Sequence, residues 1–378
     1  MTSNNKKGIV SVGSKFHAVF TASALAKSNM LETFFVGKPV KGEYLNEENT
    51  KRIRMPLYLG YLLRKMPLIG SILPYNLISD ILFDLNVRLK IKHTDFIVGF
   101  NNYCLYQIRK VKSRGTKVFL EQRIAHVNTE INIYQKEFGK IPSNLSTPMI
   151  KRKLKEYDIA DYILVPSQFV YNSMLENGIK KEKLIYVPYG YDSSLFYRVP
   201  PALQNESLKL IFVGQIGYRK GVKYLLDAIA NLKFNNYNVD LTLVGGIDKN
   251  FKDELKKYKD IYKHIDFISQ NELLKLYNNS HIFILPSLCE GSAVVTYEAL
   301  GCGLPLIVTN NTGSVIENKK EGLIVQPSSV ENIETAIKYF LNNPTEIERM
   351  SNNALKKAKE YTWEKYGERL VEQIYQRI

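Results

Sequence analysis

"HIFILPSLCEGSAVVTYEALGCGLPLIVTN", residues 281–310, carries the alternation from which the fold is read. Its first apolar run, His281–Ser287, ends at a proline and reads as a buried strand. A loop of small residues follows, and Ala293–Leu300 has the length and apolar content of a short helix. Two glycines then break that helix, and a second apolar run, Leu304–Asn310, follows with a proline at its second position. Both runs are continuous rather than alternating, as in parallel strands covered on both faces.

The same alternation extends in both directions. Upstream lie strand-like "LKLIFVGQ" (208–215), helical "GVKYLLDAIANLK" (221–233), strand-like "VDLTLVGG" (239–246), a short run "HIDFIS" (264–269) and helical "NELLKLYNNS" (271–280). Downstream, "EGLIVQP" (321–327) is a further candidate strand, and the chain continues as helices. The first half repeats the scheme with "GIVSVGS" (8–14), "DFIVGF" (95–100), "KVFLEQ" (117–122), "DYILVPS" (161–167) and "LIYVPYG" (184–190). A polar, proline-bearing stretch, 197–209, reads as a linker. The expected class is α/β, with two Rossmann-like, doubly wound domains facing across a cleft. The expected domains are 1–200 and 201–359, with a last helix at about 360–378 packing back on the first.

Length and composition agree with two globular domains: 378 residues, 45% hydrophobic and 24% charged. The formal charge is +15, which draws a chain toward nucleic acid, anionic membrane or phosphorylated substrates without choosing among them. No helix-turn-helix, RNP-like or zinc pattern gathers the cations, so no nucleic-acid partner is expected. The three cysteines, Cys104, Cys289 and Cys302, match no zinc or thiol-redox spacing and fit a reducing compartment. With no long apolar leader and no spanning run, the expected location is the cytoplasm. Residues 52–92 are apolar but interrupted by cations and prolines. They read either as helices on the first sheet's face or as a peripheral membrane contact at the inner face of the cell membrane.

The chemistry sits around two carboxylates, Glu290 and Glu298, with seven residues between them. Glu290 falls in the loop at a strand's carboxyl end, and Glu298 lies within the helix that leaves it. Ser292 is placed to cap that helix. The backbone amides of Ser292, Ala293 and Val294 would then meet a phosphate, because a helix N-terminus holds anions without side chains. Carboxylates accept hydrogen bonds from sugar and ribose hydroxyls, so the spacing fits a nucleotide-diphospho-sugar. Two solvated glutamates on a surface helix is the plain alternative. Arg219 and Lys220 follow the strand-like run 208–215 and would neutralise a departing diphosphate; an exposed basic turn is the alternative there.

Three segments together resemble the retaining glycosyltransferases of family 4, which have the GT-B fold: "DIADYILVPSQFVYNSMLENGIKKEKLIYVPYGYDSSLF" (158–196), "GYRKGVKYLLDAI" (217–229) and "FILPSLCEGSAVVTYEALGCGLPLIVTNNTGSVIENKKEGLIV" (283–325). The resemblance implies that Glu290 contacts the donor sugar, together with Gly291, that Glu298 contacts the ribose and that Lys220 binds the diphosphate. Gln215 stands after the strand glycine, Gly214, where such chains often carry arginine, and the missing charge is assigned to Arg219. Val244, Gly245 and Ile268 are implied to lie around the base. Gly13 is implied to let the phosphate approach the first domain. His126, or alternatively His17, is implied to line the acceptor side, with packing or capping as the other role for each.

The implied activity is retaining transfer of a hexose-type sugar to a glycan or lipid-linked glycan acceptor in surface polysaccharide or glycoconjugate synthesis. No cofactor and no metal are expected, since no Asp-x-Asp motif ends a strand. The rival functions are a catalytically silent scaffold of a polysaccharide-assembly complex and a nucleotide-sugar epimerase on the same fold.

Overall fold

Thirteen runs among the described residues pair as strands, and every pairing between them is parallel. In chain order they are β1 (Gly8–Val12), β2 (Leu31–Val36), β3 (Thr50–Arg52), β4 (Phe96–Phe100), β5 (Lys117–Glu121), β6 (Tyr162–Val165) and β7 (Leu184–Tyr186), then β8 (Leu208–Val213), β9 (Val239–Val244), β10 (Lys263–Ile265), β11 (Ile282–Leu285), β12 (Leu306–Thr309) and β13 (Gly322–Val325). The computed structural model describes residues 6–15, 17–65, 75–143, 145–199 and 207–378. They fall into two units, Met1–Val187 with Tyr366–Ile378, and Pro188–Lys365. Part of the linker stretch, 200–206, and part of the basic-apolar stretch, 66–74, lie outside the described residues.

The first sheet runs β3-β2-β1-β4-β5-β6-β7 and the second β10-β9-β8-β11-β12-β13. Both orders place the first strand of the unit in the interior, with the chain running outward on one side and then on the other. This doubly wound arrangement leaves a gap where the order reverses, between β1 and β4 and between β8 and β11. Loops at the carboxyl ends of those strand pairs splay apart, and α/β sheets hold their ligands there. Central strands such as β1, β4 and β11 are buried along their whole length. Their continuous apolar sequence is therefore what a sheet covered on both faces requires. Each such Ile, Val, Leu or Phe side chain contributes about 1.5–3 kcal/mol by leaving water.

A buried ionic network in the first unit holds the loop after β4. Helix Tyr75–Lys90 supplies Asp80 and Asp84, and helix Thr147–Ile159 supplies Arg152 and Glu156. Arg152 pairs with the Asp84 carboxylate and donates to the Asn102 carbonyl at 2.9 Å. Asp84 accepts from the amides of Tyr106 and Gln107 at 2.8 and 2.9 Å, in the first turn of helix Leu105–Lys112. Glu156 accepts from the Asn101 side chain at 2.9 Å and from the amides of Asn102 and Cys104. The network thus satisfies the open donors of a helix start and fixes one lip of the first sheet's reversal point.

Candidate functional site

The second unit's reversal point gathers the charged residues singled out above. After β8 the chain passes Gly214 and Gln215 and makes one tight turn at Tyr218–Lys220. It then enters helix Val222–Phe234 through Gly221. Gly221 has a left-handed backbone (φ +70), and a Cβ there would lie 1.9 Å from the Pro286 carbonyl oxygen. Only glycine lets the β8 loop come this close to the β11 loop. The Leu288 amide then donates to the Arg219 carbonyl at 2.9 Å, joining the loops backbone to backbone.

This approach brings Arg219, Lys220 and Glu290 together. Arg219 Nη1 donates to the Glu290 carboxylate and, at 3.1 Å, to the Cys289 carbonyl. Lys220 Nζ lies 2.7 Å from Glu290 Oε1. All three side chains are mostly shielded from solvent. Burial alone would raise the Glu290 carboxyl, but Lys220 and Arg219 overcome it and hold the group below its ordinary value. Burial also draws Lys220 below the usual lysine range, with Glu290 opposing it. Two cations thus face one carboxylate, leaving a net positive spot at a reversal point.

The Glu290 loop is held from its other side by the turn after β12. The Glu290 amide donates to the Asn311 carbonyl at 3.0 Å, and Asn311 Nδ2 donates to the Leu288 carbonyl at 2.8 Å. This turn corrects the expected helix start. The helix is Val294–Gly301, its cap position is Ala293, and no side chain caps it. Ser292 instead shares a 2.7 Å hydrogen bond with Tyr297 Oη and donates to the Gly313 carbonyl at 3.0 Å. The Ala293 amide is taken up by the Thr312 carbonyl at 3.2 Å, so it does not stand open for a phosphate. Gly291, Ser292 and Ala293 are buried and Val294 half-buried. The physical reason is the neighbouring loop, whose carbonyls compete for donors that an isolated helix start would leave unmet.

Glu298 is not part of the Arg219–Lys220 pairing. Its carboxylate accepts from the Tyr277 hydroxyl at 3.1 Å, from helix Gln270–Asn278. Burial pushes the Glu298 carboxyl up to about 7, and the Tyr277 hydrogen bond only partly offsets it. Beside these loops, Gly214, Gln215, Val244, Gly245 and Ile268 line one cavity of about 700 Å³. A Cβ on Gly245 (φ +130) would lie 2.2 Å from the Gly214 carbonyl oxygen, so the two glycine turns pack backbone on backbone. Gln215 Nε2 reaches Asp248 at 3.5 Å. Sequence reasoning missed His264 and Phe267 in the same lining. His264 Nε2 donates to the Gly245 carbonyl at 2.9 Å, and the Phe267 ring is exposed.

In the first unit the two histidines part company. His126 caps helix Val127–Phe138: Nδ1 accepts from the Asn128 amide at 3.2 Å and the ring packs on Tyr157. It is 2% exposed, and burial, aided by Lys153, draws it down to about 4, so it is neutral at physiological pH. His17 lies past the carboxyl end of β1, with Nε2 3.0 Å from Glu121 Oε1 at the carboxyl end of β5. It is His17, then, that joins an acid at this sheet's carboxyl edge. A Cβ on Gly13 would overlap the Tyr103 ring, so protein packs against that glycine's open face.

Residues 195–357 match the family model described as glycosyl transferases group 1. An uncharacterised glycosyltransferase of Methanocaldococcus jannaschii is 24% identical over 231 residues, 59% of this chain and 57% of that protein. The chain spans about half the length of the curated relatives it matches. Sucrose-phosphate synthase from Thermosynechococcus elongatus superposes with a TM-score of 0.70 at 17% identity, over 98% of this chain and 99% of that one. Anabaena HepE in complex with UDP and glucose gives 0.67 at 13% identity, over 98% and 100%. By fold the protein is therefore of the GT-B type, and by sequence its second unit is similar to the glycosyl transferases of group 1.

Proposed function

We propose that the protein is a retaining glycosyltransferase that moves a hexose-type sugar from a nucleotide-diphospho-sugar to a glycan or lipid-linked glycan, in surface polysaccharide or glycoconjugate synthesis. The observation that carries this reading is the ion-paired cluster of Arg219, Lys220 and Glu290 at the second sheet's reversal point. The glycosyl transferases group 1 match over the same unit supports it. Glu290 pairs with both cations and offsets one of their two charges. A diphosphate carries more negative charge than one carboxylate and competes for both. Glu290 is then released to accept hydrogen bonds from the sugar hydroxyls, while Arg219 and Lys220 stabilise the charge that develops on the leaving diphosphate. The anomeric carbon passes through an oxocarbenium-like state as its bond to the diphosphate breaks, and the acceptor hydroxyl attacks from the face the diphosphate leaves, giving its proton to the departing phosphate. The cavity around Gly214, Gly245 and Ile268 is assigned to the base, Glu298 to the ribose, and the first unit, with His17 and Glu121 at its edge, to the acceptor. Structural neighbours bound to UDP and glucose support a nucleotide-sugar donor.

The test is thermal denaturation against UDP-glucose, UDP-N-acetylglucosamine and GDP-mannose, followed by nucleotide release in the presence of acceptor. One of these donors is expected to raise the melting temperature, because a ligand bound only by the folded state stabilises it by mass action. Lys220→Ala should weaken that donor by roughly one to two decades, the value of one charge-assisted contact. Glu290→Ala should remove transfer while the fold survives. No shift with any donor, or wild-type turnover by Glu290→Ala, overturns the reading.

A further inference from the structure

Helix Met55–Lys65 turns an apolar face to solvent. Met55, Tyr58, Leu59 and Leu62 recur at the i, i+3, i+4, i+7 spacing of one helical stripe and are 71%, 60%, 38% and 42% exposed; Tyr61, beside them, is 53% exposed. The opposite side is the one that packs. Pro56 and Gly60 are buried, the Ser79 hydroxyl donates to the Pro56 carbonyl at 2.9 Å, and the helix lies against helix Tyr75–Lys90. The fold therefore anchors this helix through Pro56 and Gly60, with Leu57 and Leu63 half-buried, and leaves Met55, Tyr58, Leu59, Tyr61 and Leu62 in water.

The charges around the stripe have one sign. Lys51, Arg52 and Arg54 precede the helix and are exposed, and Lys65 closes it with its ammonium 4.7 Å from the centre of the Tyr61 ring. No Asp or Glu occurs between Glu48 and Asp80. A second copy of this chain docked by two-fold symmetry would set these cations against their own equivalents. An anionic bilayer offers both missing partners, hydrocarbon for the stripe and lipid phosphate for the cations. Tyrosines suit the boundary, since the ring enters the apolar layer while the hydroxyl stays at the headgroups.

We propose that helix Met55–Lys65 is an interfacial membrane-binding element that lays its Tyr58, Tyr61 and Leu62 face into the headgroup region of an anionic lipid surface. The inference bears on the acceptor side of the proposed transfer but stands on this helix alone. The experiment is co-sedimentation of the full chain with vesicles of phosphatidylcholine and phosphatidylglycerol in equal parts, and with phosphatidylcholine alone. The wild-type chain should pellet with the mixed vesicles and far less with the neutral ones, and added salt should release it. Tyr58→Ser with Leu62→Ser, both at exposed positions, should lower partitioning on the order of tenfold. Arg52→Glu with Arg54→Glu should lower it by at least roughly fivefold for each charge. Both variants should keep the wild-type melting temperature and the wild-type response to nucleotide-sugars.

Failure of the wild-type chain to bind mixed vesicles overturns the proposal, as does equal binding by the Tyr58/Leu62 variant. So does concentration-dependent dimerisation that the same variant abolishes, since the stripe would then serve a second copy. Donor binding without vesicle binding leaves the transferase reading standing and removes this one. Vesicle binding without any donor response does the opposite.

Discussion

At the scale of single residues, Glu298 carries the sharpest prediction. Its carboxyl is pushed up to about 7 by burial, which the Tyr277 hydroxyl's hydrogen bond only partly offsets. Ribose hydroxyls donate to a carboxylate and do so best when it is ionised, so a nucleotide bound as proposed would lower the group's pKa. By linkage, nucleotide affinity should climb as pH rises through about 7 and level off above it. Below that point it should fall by a factor approaching ten per pH unit. Glu298→Gln should flatten the profile, measured by calorimetric titration between about pH 6 and pH 8. A wild-type profile with no rise across neutrality would remove Glu298 from the nucleotide's contacts. Glu290, held low by Lys220 and Arg219, is ionised throughout this window and adds no slope of its own. The contrast shows how two glutamates of one motif acquire different chemistry: one meets cations, the other a phenol in a dry setting.

At the scale of elements, the first unit's reversal point depends on two helices that meet through charge. Arg152 is buried against Asp84 and lies 3.7 Å from Glu156. Removing the cation strands two carboxylates, because Asp84 and Glu156 keep their burial but lose their main counter-charge. Arg152→Met should therefore cost about 3–5 kcal/mol, read as a lower midpoint in urea denaturation. A loss under about 1 kcal/mol would show that solvent or a shifted side chain replaces the guanidinium. Little of this was open to sequence reading. Helices Tyr75–Lys90 and Thr147–Ile159 put their acids and bases at positions that pattern analysis assigns to a wet face. The edge strand β3, "TKR", is polar and half in solvent, so its sequence carries no apolar run. Strand β2, "LETFFV", is interior, but Glu32 and Thr33 interrupt its apolar run and the sequence reading passed over it. Strands with an unbroken apolar run announced themselves because covered faces demand one, whereas β3, at an edge, needs only its backbone to pair.

At the scale of the whole molecule, the helix Trp363–Tyr375 belongs to more than one unit. From Tyr366 onward its residues belong with Met1–Val187. Tyr366, Leu370 and Ile374 are buried there, and Tyr366 Oη shares a 2.8 Å hydrogen bond with Thr21 Oγ1. The Tyr366 ring also meets the edge of His17, and a Cβ on Gly367 would lie 2.8 Å from the Ala24 Cβ. The first unit's core is thus completed by residues far along the chain. Tyr366→Ala should destabilise it by about 3–5 kcal/mol through the cavity left behind. Thermal unfolding should show the loss, and hydrogen exchange should locate it in helix Ala18–Lys27. An unchanged melting temperature would mean that this helix contributes no core.

By itself the sequence determined the class of fold, the strands and helices of the second unit, and the residues of the diphosphate-binding proposal. Those follow from local signals: apolar runs covered on both faces, glycines at strand ends, and an "RK" turn and an acid on loops that leave strands. Only the tertiary structure decided which of these groups meet. Arg219 and Glu290 stand 71 residues apart and touch because β8 and β11 are neighbours at the reversal of strand order. The neighbouring turn after β12 took the Ala293 amide on the Thr312 carbonyl and the Ser292 hydroxyl on the Gly313 carbonyl, and in the first unit His126 caps a helix while His17 meets the acid. Periodicity is a property of neighbouring residues. Hydrogen-bond partners, desolvation and pKa are properties of whatever distant strand the sheet places alongside.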